Sequence, residues 1–232
     1  MLQKATWGDR KSQTLGIKNQ FRSSVGIMTN THFANERDSY GRLLRDREVW
    51  RQATTIAAAG ELTARWLEGH SQYQAGTLAP DVDEETRPIA AELAEINRSE
   101  FFTKESQPGL LRSSDHTQRQ YVTGFCSAES ARRLLQLSTQ TELIAVVHAP
   151  GEMSRSSIPV TMLNGEVVTV LGTSESPIEA GQMRDWAEES NDALALLLTE
   201  SWYVEMLDPV WGRNDRLLPA VLQTLEVASY SI

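Results

Sequence analysis

The polar side chains best placed to form one binding site lie within residues 101–124. Thr103, Ser106 and Gln107 come just before a Pro108-Gly109 turn. A second polar group precedes the next predicted strand and comprises Asp115, His116, Gln118 and Arg119. An arginine guanidinium can hold a carboxylate or phosphate with two parallel hydrogen bonds, and a glutamine amide can orient a carbonyl or amide. These residue types predict a ligand pocket that binds an anionic small molecule.

Two predicted strands must position these side chains. The first spans residues 100–103 and ends before the Pro-Gly turn, because proline has no N–H for a ladder. The second spans residues 120–126, which are rich in aromatic and β-branched side chains. If the strands pair as a hairpin, both polar groups reach the same end of the sheet, where ligands often bind. The alternative is an ordinary hairpin loop that is polar because it faces water.

Residues 211–215 form a second candidate, because they follow a predicted strand and open a predicted helix. Helix N-termini carry free N–H groups that attract anions, and Arg213 and Asn214 lie at this point. The sequence therefore predicts that Arg213 lies near the rim of the pocket and that Asn214 belongs to the site. The alternative is that Asn214 or Asp215 caps the helix and Arg213 pairs with a local carboxylate.

Catalytic and metal-binding patterns give no comparable candidate. No two of the four histidines have the helical spacing of metal ligands, and none pairs with Cys126 at ligand spacing. A metal site formed by Asp115, His116 and His148 would require the fold to bring these three residues together, because they are not neighbours at ligand spacing in the sequence. A Cys126–His148 pair would require adjacent strands, and Cys126 is expected to pack as a small apolar residue. We therefore expect no metal and no cofactor.

Composition and charge limit the partners. The 232-residue chain has a net charge of −9, which disfavours general binding to nucleic acid or anionic membranes. Its single cysteine excludes an internal disulfide, so the cytoplasm is the expected compartment. No secretory signal pattern and no apolar run of membrane-spanning length is present. The partner itself stays open between an anionic small molecule and a protein.

The order of predicted elements indicates an α+β fold. We expect a single domain over residues 45–232, with helices packed on a mixed or mostly antiparallel sheet of about five to six strands. Asn164-Gly165 between two β-rich runs predicts a hairpin, and a helical repeat covers residues 178–198. Residues 1–44 lack a period and are expected to be a poorly structured extension, dispensable for folding. This basic segment could lie across the acidic domain, or translation could start at Met28.

Five segments of the chain resemble an actinobacterial domain family of unknown function. They are GELTARWLEG at 60–69, DEET at 83–86, NRSEFFTKESQPG at 97–109, QRQYVTGF at 118–125 and LDPVWGRNDRLLPAVL at 207–222. The similarity extends from about residue 50 to residue 222 and leaves out residues 1–44. It implies an intracellular protein of a bacterium, phage or plasmid, and it brings no activity with it.

Two classes of function remain at this point. The first is a binding or interaction module with a polar pocket at one end of the sheet, such as a regulator of host or mobile-element processes. The second is a small hydrolase or transferase acting on an anionic small molecule. The first is favoured because the sequence shows no acid–base pair and no activated nucleophile.

Overall fold

Eight strands form two four-stranded antiparallel sheets in the computed structural model, which describes residues 35–113, 116–172 and 191–226. The first sheet has the order β1-β4-β8-β5 and comprises β1 (Phe102–Gln107), β4 (Tyr121–Cys126), β8 (Trp202–Leu207) and β5 (Ile144–His148). The second has the order β2-β3-β6-β7 and comprises β2 (Leu110–Ser113), β3 (His116–Gln118), β6 (Ile158–Leu163) and β7 (Glu166–Leu171). The α+β class and the antiparallel pairing predicted from sequence are confirmed.

The strands are divided between two sheets because a short hairpin is inserted between β1 and β4. The segment 110–118, predicted as loop, forms β2 and β3, and β3 pairs with β6. The pairing of β1 with β4 that the candidate site requires is present, with Gln107 opposite Tyr121 at the end where the chain leaves the sheet. The Asn164-Gly165 hairpin is also confirmed, since φ is +52° and +79° at its two residues, as a type I′ turn requires.

Seven α-helices in the described ranges surround the first sheet. They are α1 (Leu44–Trp50), α2 (Ile56–Leu67), α3 (Ala90–Arg98), α4 (Ala128–Leu135), α5 (Leu137–Gln140), α6 (Asp192–Thr199) and α7 (Leu217–Glu226). A 3₁₀ turn, Arg87–Ile89, precedes α3. Of the helix predicted over residues 178–198, the part up to residue 190 lies outside the described residues. No helix in the described part of the chain is long and apolar enough to cross a membrane.

The first sheet is covered on both faces, which explains why every residue of β4 is buried. Val122 and Val204 point into a cluster formed with α3, α4 and α7. Phe125 and Tyr203 lie an odd number of residues from these valines, so their side chains point to the other face of the sheet. There they join a cluster with Trp50 and residues of α6. Burial of apolar side chains on both faces contributes about 25 cal/mol per Å² of apolar area.

Gly60 sets the distance between α2 and α3, although the sequence suggests that it interrupts the helix. It lies within α2, and a Cβ at this position would stand 2.1 Å from the backbone oxygen of Asn97 in α3. Only a residue without a side chain allows the two helices to approach this closely. This close approach fixes the position of Asn97, which in turn holds Thr103 near the start of β1.

Contacts with the domain extend to the N-terminal side of the boundary expected at residue 45. Leu43 is buried, and its backbone N–H donates to the carbonyl of Gln72. Arg42 is buried as well, where it bonds Asp38 and the carbonyl of Thr77. Residues 35–44 therefore pack against the domain, and we expect their deletion to destabilise it. Residues 1–34 lie outside the described residues.

Candidate functional site

A cavity of about 280 Å³ follows the outer edge of β1. All six residues of this strand line it, although successive side chains point to opposite faces of the sheet. The cavity must therefore lie along the edge of the strand, because both faces contribute to its wall. The opposite wall comes from α2 and from two loop segments, and comprises Thr63, Trp66, Leu67, Gln74, Ala75, Gly76, Thr77, Asp83 and Thr86.

Hydrogen bonds fix the loop of this opposite wall. Arg42 donates from one guanidinium nitrogen to the carbonyl oxygen of Thr77 at 2.7 Å, and its guanidinium lies over the ring of Tyr73 at 4.7 Å. Trp66 in α2 donates its indole N–H to the carbonyl oxygen of Pro80 at 3.0 Å. The loop is thus anchored at both ends, so the cavity has a preformed wall.

Gln74 presents an acceptor without a donor. The Thr63 hydroxyl donates to the carbonyl oxygen of Ala59 at 3.0 Å, so its oxygen can only accept from the Gln74 Nε2 group, 3.2 Å away. This fixes the orientation of the Gln74 amide. The side chain is only 7% exposed, and no donor for its Oε1 atom exists in the described structure. A buried carbonyl left in this state costs about 1–3 kcal/mol.

Three of the predicted site residues, Thr103, Ser106 and Gln107, line this cavity together. Asn97 anchors the first of them: its Nδ2 group donates to the Thr103 hydroxyl at 3.0 Å, and its Oδ1 atom accepts the Thr103 backbone N–H at 3.1 Å. Gln107 Oε1 accepts a bond from Gln118 Nε2 at 3.0 Å. The structure therefore brings these residues to one edge; their binding role stays a prediction.

The charges at the cavity are mainly acidic. Asp83 and Glu105 are its lining carboxylates, and Lys104 is its lining ammonium group. The Lys104 Nζ atom lies 3.2 Å from Glu105 Oε1, so this ammonium already has a partner. Burial, and then the Glu105 carboxylate, raise the pKa of the lining Tyr121 hydroxyl, which stays a neutral hydrogen-bonding group at physiological pH.

Arg119, the predicted anion-binding residue, is not among the residues that line this cavity. Its guanidinium donates to the carbonyl oxygens of Pro209 and Pro159 at 3.0 and 2.8 Å. It also stacks over the ring of Trp211, 4.2 Å from the ring centroid. Burial lowers the pKa of Arg119, partly offset by the nearby Asp208 carboxylate. The side chain thereby connects the second sheet with the loop that follows β8.

We expect Arg119→Ala to lower the free energy of unfolding by about 2 kcal/mol, since two charge-assisted bonds and a ring contact are lost. Denaturant titration measures this loss. Replacement of the exposed Arg132 by alanine serves as the control and should change stability by less than about 0.5 kcal/mol. Unchanged stability of Arg119→Ala would return this residue to the set of candidate ligand-binding groups.

Arg213 and Asn214 also lie outside the lining of the β1 cavity. Arg213 binds both oxygens of the fully buried Asp208, at 2.5 and 2.8 Å, and a third contact joins it to Glu142 at 3.0 Å. Asn214 pairs through its amide with the backbone N–H and carbonyl of Gly109, both at 2.6 Å. It does not cap α7, which begins at Leu217. Arg213 thus pairs with a nearby carboxylate, as in the alternative considered from sequence for residues 211–215.

A buried carboxylate network in the first sheet has no counterpart in the sequence predictions. Glu205 in β8 is 2% exposed. It accepts bonds from the hydroxyls of Ser154 and Ser156, each at 2.8 Å, and lies 3.2 Å from the His148 Nε2 atom. Both hydroxyls donate to the carboxylate rather than to the imidazole, so no serine–histidine relay is formed. The sequence signal that could have revealed this network is Glu205 itself, an isolated acidic residue within an otherwise apolar strand.

The Cys126–His148 pair considered from sequence is wrong, because β4 and β5 lie on opposite sides of β8. Cys126 is fully buried, and burial raises the pKa of its thiol to about 12, which makes it a poor nucleophile. His116 belongs to the second sheet and His148 to the first, while Asp115 lies outside the described residues. The described part of the chain contains no group of three or more side chains able to hold a metal ion.

These features define an α+β domain with a preformed cavity of mixed polar and apolar lining along the outer strand of a buried sheet. The chain belongs to the family described as Domain of unknown function (DUF6919), which it matches over residues 45–228. The family resemblance inferred from the sequence segments is thereby confirmed, while the actinobacterial origin stays a prediction. No curated protein matches the chain.

Proposed function

We propose that this domain is a binding module whose ligand site is the cavity along β1. The observation that carries the proposal is the buried Gln74 Oε1 atom, which lacks a donor in the described structure although its amide is held by Thr63. Buried polar groups in folded proteins are nearly always hydrogen-bonded, so an unpaired acceptor on a residue that lines the cavity favours a ligand toward which the side chain can turn. The single-cysteine composition supports a cytoplasmic location, and the sequence resemblance supports a bacterial, phage or plasmid origin.

Binding is favoured over hydrolysis or group transfer on an anionic substrate. Those reactions would need a cationic group to hold the substrate, and the candidate arginines are engaged elsewhere. Arg119 bonds two backbone carbonyls, and Arg213 is paired with Asp208 and Glu142. The lining of the β1 cavity carries two carboxylates for one ammonium group, so its charge also opposes an anion.

Filling the cavity is expected to abolish binding without unfolding the domain. Ser106→Phe places an aromatic ring at a half-buried position of an outer strand, where β propensity favours it. Thermal shift measurements against a library of small polar metabolites and short peptides should find compounds that stabilise the native chain. The same compounds should lose their effect on Ser106→Phe.

Thr169→Phe is the matched control, because Thr169 is also half-buried on an outer strand, β7 of the second sheet. It should respond to each compound as the native chain does. Stabilisation that persists in Ser106→Phe would place the site elsewhere, and a library without any stabilising compound would contradict the proposed function.

A further inference from the structure

The unpaired edge of β1, which borders the cavity, indicates what shape of ligand would fit there. In the described structure β1 pairs only with β4, so its other side faces the cavity. The outward backbone N–H of Thr103 is taken by Asn97 Oδ1, which closes one end of this edge. The outer strand of a sheet presents alternating N–H and carbonyl groups, and these match the backbone of an extended peptide.

We propose that the occupant of the cavity is an extended peptide segment that carries a basic side chain; this inference rests on the proposed function. Its backbone adds to the outer edge of β1 over residues 105–107, beyond the register shift between Thr103 and Glu105, as in strand addition to other sheets. On the opposite wall, the Gln74 side chain turns its buried Oε1 atom into the cavity, where it accepts one of the peptide's N–H groups. A peptide supplies donors on both of its edges, so it satisfies the strand and the glutamine together.

The basic side chain follows from the charges of the lining. Glu105 is partly neutralised by Lys104, whose ammonium group lies 3.2 Å away, and Asp83 forms no ion pair with any described residue. Beside this cavity, a second one of about 780 Å³ includes Glu84 and Glu92 in its lining. A lysine or arginine side chain on the peptide is complementary to this surface, whereas an acidic side chain is repelled.

The test uses an array of acetylated, amidated pentapeptides in which each position is varied, probed with the full chain. Peptides with lysine or arginine should be enriched among those bound. The best basic peptide is then labelled, and its dissociation constant is measured by fluorescence anisotropy. Replacing its basic residues by glutamate should weaken binding at least tenfold, and N-methylation of one central amide should have a similar effect because it removes a donor.

Gln74→Met tests the second contact, since methionine has a similar shape but no amide oxygen. Affinity for the labelled peptide should fall about tenfold, the usual consequence of losing one buried hydrogen bond. The exposed Gln136 supplies the control, and Gln136→Met should bind the peptide as the native chain does.

The outcomes separate this inference from the proposed function. If no peptide binds, or if acidic peptides bind better, the inference is overturned. The proposed function would still stand if a compound of another class stabilises the native chain and fails to stabilise Ser106→Phe. If no compound of any class shows this dependence on Ser106, both are overturned.

Discussion

Glu205→Gln is expected to lower the free energy of unfolding by about 3–5 kcal/mol, the range for removing one member of a buried charged network. The carboxylate is 2% exposed and accepts two serine hydroxyls at 2.8 Å. An amide offers one acceptor oxygen in place of two, and its NH₂ group faces donors that it cannot satisfy. Chemical denaturation of the two proteins at neutral pH measures the difference.

The pH dependence of this loss gives a second readout. Burial opposes ionisation of Glu205, but the bonds from His148, Ser154 and Ser156 outweigh it and hold the pKa below its ordinary value of 4.5. A carboxylate with a depressed folded pKa contributes stability above its unfolded pKa, and this contribution disappears as the pH falls through the folded value. The stability difference between the native chain and Glu205→Gln should therefore be full above about pH 4.5 and should shrink below it.

The exposed Glu166 provides the control for this measurement. Glu166→Gln should change stability by less than about 0.5 kcal/mol, because the side chain is in water. A Glu205→Gln variant as stable as the native chain would show that the network contributes nothing. A deficit that stays constant down to the acid transition would show that the charge of the carboxylate is irrelevant.

Gly60→Ala is expected to destabilise the domain, although alanine is the better helix former. Alanine in the interior of a helix gains about 1 kcal/mol over glycine. Against this, the new Cβ would lie 2.1 Å from the backbone oxygen of Asn97, which can move only if α3 moves. Overpacking of this kind costs about 1–3 kcal/mol or more, so we expect a net loss of at least about 1 kcal/mol.

The same substitution should reach the binding site, because Asn97 holds both the hydroxyl and the backbone N–H of Thr103. Ligand affinity is therefore expected to fall together with stability. Ala57→Gly, on the exposed face of the same helix, isolates helix propensity and should cost no more than about 1 kcal/mol without affecting the ligand. An unchanged or raised unfolding midpoint for Gly60→Ala would mean that α2 and α3 separate at no cost.

Local patterns predicted the elements that depend on short-range chemistry. The Asn164-Gly165 hairpin follows from two residues that tolerate positive φ, and β4 and β8 follow from runs of aromatic and β-branched residues. The helix at the C-terminal end begins just before Pro219, where proline is tolerated. Pairing of β1 with β4 was one of the arrangements that the sequence allowed, since two strand-like runs lie close together in the chain.

The second sheet was not predictable in this way. Strands β2 and β3 have only four and three residues, too few to show an alternating pattern. The pairing of β3 with β6 depends on contacts across more than forty residues of sequence, as between Thr117 and Met162. Pairings of this kind are decided by tertiary packing rather than by local preference.

By itself, the sequence determined the α+β class and the grouping of Thr103, Ser106 and Gln107 at one edge, because residue type and turn chemistry act locally. Only the tertiary structure decided which polar groups stay available to a ligand. Arg119 is taken by the carbonyls of Pro159 and Pro209, which are distant along the chain, and Arg213 by the nearby Asp208, whereas Gln74 keeps an unpaired oxygen. A polar side chain serves whichever partner the fold brings nearest, and desolvation makes an unpaired buried group costly, so its role depends on long-range packing.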